Sequence, residues 1–455
     1  MGLGMHGGGA ASARYCVESG ADVTITDLRS EEELGGAMAA IDGLPARLVL
    51  GRHDPADFRS ADIVVKNPAV RRDVGLLREA RRIETDISLF LAGYSGPVLA
   101  VTGTKGKSST AAALHYVLQA IHPDARLGGN ITVSPLSFHR ELSGTEPVVL
   151  ELSSFQLGDL SITPGGTGLG TRFSLAMITN IMPDHQDYYG SMEEYAADKT
   201  IIYRALGPDA WCILSNGDPW SNTFEPPHVD RVVRIGRYDT AIDCPTAGAL
   251  LEDGIGILRM PGREAVTVLT PDTRLRGEHM RMNLLFAGVA AWLAGVPERI
   301  VRDRLQQFPG IPHRLEHLRT INGVSFVNDS AATIPDAVLA AVNTFAEPVH
   351  LIAGGSDKGV AVDAFVGIAG QVRSLHLLAG TATERIANLL RTRGLHCGGP
   401  YPSLDEAFRA AASRAARGEV VLLSPGCASF GMFRNEFDRG EQFRRLVREH
   451  DPMVQ

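Results

Sequence analysis

Residues 98–118 read VLAVTGTKGKSSTAAALHYVL, an apolar run that breaks at a glycine turn and resumes as an alanine-rich stretch. The run predicts a buried strand and the stretch after it a helix. A strand that enters a glycine turn opening a helix places backbone N–H groups at the helix start, facing an anion. Gly103, Thr104, Lys105, Gly106, Lys107, Ser108 and Ser109 are therefore candidates to cradle phosphate, with Lys107 reaching the outer phosphates and Ser108 offering its hydroxyl to magnesium. The loop is shorter than the common GxxxxGK[ST] pattern, because Val101 stands where that pattern needs glycine. A turn that merely caps a helix beside a solvated lysine would account for the glycines, but not for strand, turn and helix in that order.

Strand-like and helix-like segments alternate along the rest of the chain, which predicts an α/β protein. At 455 residues a single core is too small a container, and several domains are expected. The first, residues 1–91, opens on a glycine turn and an alanine-rich helix, then the strand Val23–Thr26 ending in Asp27. An acid about 20 residues after a glycine turn is the arrangement that holds a nucleotide ribose. No apolar run precedes this turn, so an open sheet here would lack a central member, and the natural start is expected upstream. A Gly96-Pro97 junction introduces residues 92–307, with strand-like PVVLEL, LAMITNI and WCILSN, then antiparallel-looking GILRM and AVTVLT. The turn FPGIPHR introduces residues 308–455, with SFVND, PVHLIAGG, SLHLLAG and VVLLSPG as strands.

Composition narrows the classes of function. The formal charge of −8 speaks against a general nucleic-acid binder, so any anionic ligand must meet locally placed cations. Five widely spaced cysteines, with no CxxC pair, indicate neither a disulfide framework nor a zinc site. No stretch reaches the length of a membrane helix and no basic segment leads into an apolar run, so a cytoplasmic protein is expected.

Two further clusters carry chemistry. Glu151 ends the apolar run Val148–Leu150 and can hold a magnesium ion, or simply face water at a strand end. The segment TNIMPDHQDYYGSMEEYAADK gathers Asn180, Asp184, His185 and Asp187, with Lys199 on the helix that follows. Spacing alone does not decide between a phosphate-binding pair and a metal site for His185 and Lys199.

TGTKGKS, ELSSFQL, TNIMPDHQDYYGSMEEYAADK, RGEHMRMN, IPHRLE, VNDSAATIP and LLSPGCASF occur in the order found in the Mur ligases of peptidoglycan synthesis. The chain resembles that family, and ELSSFQL with LLSPGCASF resembles its glutamate-adding members. The resemblance implies three domains: Rossmann-like for a UDP moiety, a central ATPase-type domain, and a C-terminal dinucleotide-fold domain bringing the amino acid. It implies ATP-dependent ligation of glutamate to UDP-N-acetylmuramoyl-L-alanine through an acyl phosphate, by a monomer with no nucleic-acid or membrane partner.

By the same resemblance, ATP and two Mg2+ ions are met by Lys107, Ser108, Glu151, His185 and a carbamate on Lys199, with Asn283, Arg314 and Asp329 at adenine and ribose. The UDP-linked substrate is assigned to Met5, His6, Asp27, Arg29, Asn67, Asn130, Ser153 and Gln156, and glutamate to Thr333, Lys358 and Ser429. The chain departs from the family pattern at Met280, Ala331, Ile334 and Glu436, which leaves D- or L-glutamate open. Another Mur ligase or a folylpolyglutamate synthase-type ligase shares the loop and the lysine. A nicotinamide oxidoreductase or a nucleotide-gated motor would leave the phosphate loop with Lys199, or ELSSFQL, without a purpose.

Overall fold

The computed structural model describes residues 1–4, 7–131, 133–161, 173–186, 188–237, 247–275, 277–357, 362–429 and 431–450. They divide into two compact units, Met1–Phe308 and Pro309–Gln455.

The first unit begins with helix α1 (Gly8–Glu18) and two small parallel sheets, β1 (Val23–Asp27) with β2 (Ala46–Leu50), and β3 (Val64–Val65) with β4 (Ile83–Glu84). Met1–Leu3 bridges them: Gly2 N–H donates to Thr26 O at 2.8 Å, the Met1 ammonium to Val65 O at 2.8 Å, and Asn67 N–H to Met1 O at 3.0 Å. A cavity of about 600 Å³ opens beside this bridge, lined among others by Gly8, Gly9, Ile25 and Val64.

The remainder of the unit is built on a large twisted sheet. Its strands are β5 (Val98–Thr102), β6 (Arg126–Gly129), β7 (Val148–Glu151), β8 (Phe173–Ile178), β9 (Leu206–Ser215), β10 (Val232–Arg237), β11 (Ala247–Glu252), β12 (Ile255–Arg259) and β13 (Val266–Leu269). Among the described residues the order is β13-β12-β11-β10-β9-β8-β5-β7-β6. All neighbours are parallel except β11–β12 and β12–β13, so the antiparallel reading of GILRM and AVTVLT holds. The central strand β5 is buried at every position, as its unbroken apolar run requires. Helix α2 (Lys107–Leu118) and helix α5 (Glu278–Leu293) share one apolar core on the sheet through Ala111, Leu114, Val117, Leu284, Ala287 and Ala291. Helices α3 (Ser154–Ser161) and α4 (Met192–Arg204) pack in a second core with Phe90, Leu157, Tyr195 and Ile202. The order of β5, β7 and β8 puts their carboxyl ends side by side, at the crevice where ligands bind in open α/β sheets.

Among its described residues the second unit has a six-stranded sheet of β14 (Glu316–Ile321), β15 (Val324–Asn328), β16 (Val349–Gly354), β17 (Ser374–Leu378), β18 (Gly398–Tyr401) and β19 (Val420–Leu423), in the order β14-β15-β19-β16-β17-β18. Only β14–β15 is antiparallel. The final helix α6 (Glu436–Glu449) lies against one face through Phe443 and Val447.

Candidate active site

The phosphate loop leaves β5 at Thr102 and closes at the first turn of α2. Gly103 has φ 146° and Gly106 φ 83°, values that only glycine adopts freely. Both also sit where a side chain cannot fit: a Cβ would lie 2.0 Å from Thr179 Oγ1 at residue 103, and 2.2 Å from Asn283 Oδ1 at residue 106. Asn283, buried on α5, is thereby placed directly against the loop.

Thr179 and Asn180, at the end of β8, hold the loop from its other side. Thr104 N–H donates to Asn180 O at 2.8 Å, Lys105 N–H to Asn180 Oδ1 at 2.9 Å, and Asn180 Nδ2 to Lys105 O at 3.0 Å. The Lys105 side chain points to solvent and pairs with Asp184 at 3.1 Å. Burial raises the Asp184 pKa, but hydrogen bonding and charge from Lys105 outweigh it and hold the carboxyl below its ordinary range. Lys107 Nζ bonds the carbonyls of Gly103 and Thr104, each at 2.9 Å, over the helix start.

Two buried charged groups face this loop. Lys199 on α4 is 1% exposed and donates from Nζ to Gly103 O at 2.9 Å, with the Tyr195 ring 4.7 Å away. Burial, reinforced by the positive charge of Lys107, lowers its pKa well below the lysine range, against the pull of Asp184, Asp198 and Glu151. Glu151 is 1% exposed at the end of β7, paired in register with Val101 of β5. Its Oε1 accepts from Asn130 Nδ2 at 2.8 Å, while Oε2 is buried without a hydrogen-bond partner among the described residues. An unsatisfied buried carboxylate oxygen is costly unless a cation or donor meets it, so this position fits Mg2+. Among the described residues no group of three or more His, Cys, Asp or Glu gathers as a metal cluster. Mg2+ takes one or two protein carboxylates together with phosphate oxygens and water, and the buried carboxylate of Glu151 supplies one. His185 is exposed, has φ 53°, and lies edge-on to Phe155 with ring centroids 5.0 Å apart.

Nearer the N-terminus, Asp27 is engaged by its neighbours: Oδ1 accepts from Arg29 N–H and Nε at 3.0 and 3.1 Å, and Oδ2 from Arg29 Nη2 at 2.9 Å and Gly4 N–H at 3.3 Å. Burial raises its pKa, yet the Arg29 bonds prevail and hold it at about 2. Asn67 Nδ2 lies 2.8 Å from where a Gly4 Cβ would be, so the glycine turn and the Asn67 loop touch. Ser153 caps α3, accepting Gln156 N–H at 3.2 Å, while its own N–H donates to Gln156 Oε1 at 3.0 Å.

In the second unit, Asp329 follows β15 and accepts from Ser424 Oγ at 2.7 Å and Leu315 N–H at 3.1 Å. Burial pushes its pKa up to about 7 against those bonds. Thr333 is half-buried, Ser429 buried and Arg314 exposed. Arg439 of α6 is 0% exposed and donates to Ser330 Oγ at 3.0 Å, Ser330 O at 2.9 Å and Cys427 O at 3.2 Å. It ties together the loops that lead to Thr333 and Ser429.

The Mur ligase middle domain matches residues 101–291, and the Mur ligase, glutamate ligase domain matches residues 313–427. A protein of Roseiflexus sp. (strain RS-1), 42% identical over 98% of this chain and 97% of its own length, is named UDP-N-acetylmuramoylalanine--D-glutamate ligase. A protein of Treponema pallidum with the same name is 36% identical, over 98% of this chain and 96% of its own. The chain belongs to the Mur ligase family. As a Mur ligase it is an ATP-dependent, amide-forming enzyme of peptidoglycan precursor synthesis that works with Mg2+. The solved UDP-N-acetylmuramate-alanine ligase MurC of Thermotoga maritima, 19% identical, shares the fold with a TM-score of 0.59 over 99% of this chain and 98% of its own.

In the first unit of this Mur ligase, Gly103 to Ser109, Asn283, Glu151 and Lys199 come to one end of the large sheet. Asn130, expected at the UDP-linked substrate, donates to Glu151 Oε1 and so lies beside the buried carboxylate. Met5, His6, Asp187 and Lys358 lie outside the described residues. The sequence reading gave no role to Thr179, Tyr195 or Arg439. The TN pair closing an apolar run was the only available signal for Thr179, and nothing in the local pattern marks the other two.

Proposed function

We propose that this Mur ligase joins D-glutamate to UDP-N-acetylmuramoyl-L-alanine, the reaction its relatives are named for, and that residues 1–91, 92–307 and 308–455 serve the UDP moiety, ATP and glutamate respectively. The observation that carries the chemistry is Lys199, buried on the Gly103 carbonyl beside Lys107. Burial of an ammonium next to another cation favours the neutral amine. A neutral lysine amine adds through its nitrogen lone pair to the carbon of CO2 and gives up one N–H proton to water, leaving a carbamate whose oxygens face the phosphate loop as an anionic ligand instead of a repelling cation.

ATP with Mg2+ supplies a phosphoryl group that makes the alanyl carboxylate an acyl phosphate, which the glutamate amine attacks with loss of phosphate. The chain's residues position and neutralise. Loop N–H groups and Lys107 meet the transferring phosphates. Ser108, Glu151, His185 and the Lys199 carbamate hold two ions, with Asn130 fixing the Glu151 carboxylate. Asn283, Arg314 and Asp329 meet adenine and ribose. Met5, His6, Asp27, Arg29, Asn67, Asn130, Ser153 and Gln156 meet the UDP-linked substrate, and Thr333, Lys358 and Ser429 the glutamate carboxylates. The enzyme works as a cytoplasmic monomer without nucleic acid.

The test is phosphate release under single omission. Release requiring ATP, UDP-N-acetylmuramoyl-L-alanine and D-glutamate together supports the reading; release without either acceptor or donor overturns it. L-Glutamate in the same assay reads the effect of Ala331, Ile334 and Glu436.

A further inference from the structure

The segment from Lys66 to Arg72, which carries Asn67, is fastened at both ends to helices of the large-sheet region. At one end the Lys66 and Asp159 side chains, 2% and 3% exposed, pair at 2.6 Å, and Lys66 Nζ also bonds Asn67 O at 3.2 Å. Asp159 belongs to α3, the helix that Ser153 caps. At the other end Arg72 grips Asp198 of α4 with both terminal nitrogens, at 3.2 and 2.5 Å. The Tyr189 hydroxyl donates to Asp198 Oδ2 at 2.9 Å, and Arg72 Nε lies 3.4 Å from the Tyr188 hydroxyl.

Gly158 of α3 makes room for this pair, since a Cβ there would lie 2.4 Å from both Arg72 Nη1 and Asp198 Oδ2. Asp198 directly precedes Lys199. Successive helical residues are turned by about 100° from one another. The same turn of α4 therefore presents Asp198 to the Asn67 segment and Lys199 to the phosphate loop. A planar bidentate guanidinium–carboxylate pair transmits orientation better than a single flexible contact.

We propose that Arg72 is a positioning residue: through Asp198 it joins the segment bearing Asn67 to the helix bearing Lys199, so that binding of the UDP-linked substrate tightens α4. This rests on the reading above that Asn67 faces that substrate. An ion pair that only held the fold would lower the melting temperature when broken and leave the response of α4 to substrate intact.

Amide hydrogen exchange of the full chain, with and without UDP-N-acetylmuramoyl-L-alanine and without ATP, separates the two. In the wild-type protein, substrate is expected to slow exchange in residues 192–204 by about fivefold or more. Arg72→Met is expected to bind substrate up to about tenfold more weakly and to lose that slowing, and Arg72→Lys to regain part of it. Asp198→Asn, which keeps the size of the side chain, serves if Arg72→Met does not fold, and is expected to lose the slowing likewise. Unchanged slowing in Arg72→Met or Asp198→Asn, or binding to wild type with no slowing in residues 192–204, overturns the inference. Failure of the wild-type chain to bind the substrate overturns the functional reading and this inference with it.

Discussion

Lys199 Nζ donates to the Gly103 carbonyl across 2.9 Å, so the buried lysine of α4 touches the first residue of the phosphate loop. Loop and lysine are 96 residues apart in the chain and share one site because β5 and β8 are neighbours in the sheet.

Lys199→Ala removes the amine proposed above to carry a carbamate and leaves a void beside Gly103. Ligation is expected to fall roughly a thousandfold, the scale of losing a group that stabilises transition-state charge. Added acetate or another short carboxylate is expected to restore part of it. Phosphate-release rates across a carboxylate series check this; full activity without additive would remove Lys199 from the metal site.

Glu151→Gln keeps the hydrogen bond with Asn130 within reach but removes the charge from the buried oxygen that has no hydrogen-bond partner among the described residues. Half-saturation by Mg2+ is expected to shift upward by roughly ten- to a hundredfold, while the melting temperature changes little. A magnesium titration of the ligation rate measures it.

Gly106→Ala places a Cβ where φ is 83° and Asn283 Oδ1 would be 2.2 Å away. The left-handed backbone alone costs about 1–2 kcal/mol. A lower melting temperature together with a raised KM for ATP is expected, and an unchanged KM would show that the loop adapts without cost to the nucleotide.

His376 sits between β16 and β18, 2% exposed, in a chain of hydrogen bonds through Ser374 to His350 and from there to Glu419. Burial, with the nearby charges of Arg414 and His350, pulls its pKa down to about 4. The unfolded chain then binds a proton between pH 6.5 and 4 that the folded chain refuses, so stability is present above 6.5 and is lost as the pH falls through that window. Chemical denaturation of His376→Gln between pH 4 and 7 is expected to show a flatter pH dependence than wild type.

The parts of the site that follow one another in the chain were legible in the sequence. The phosphate loop announces itself because strand, turn and helix are contiguous, and Glu151 because it closes an apolar run. Short β6 escaped notice, since half of its residues are glycine and no alternation develops over Arg126–Gly129. The hydrogen bond from Asn130 to Glu151 spans 21 residues and leaves no mark in the local pattern of either. Arg72 and Asp198 are 126 residues apart, and each reads locally as a solvated surface charge. Arg439 lies in a helix rich in Arg and Glu, where nothing distinguishes the one guanidinium that the fold seals inside from those it leaves in water.

That sealed guanidinium makes the second unit unlike an ordinary basic surface. Mobile ions screen exposed charges over a Debye length of about 8 Å at physiological ionic strength, but they do not enter a close-packed interior. The field of Arg439 around the Ser330 and Cys427 loops therefore persists in concentrated salt, whereas that of exposed Arg314 fades. Ionic strength becomes a lever that weakens one cation of this unit and spares the other.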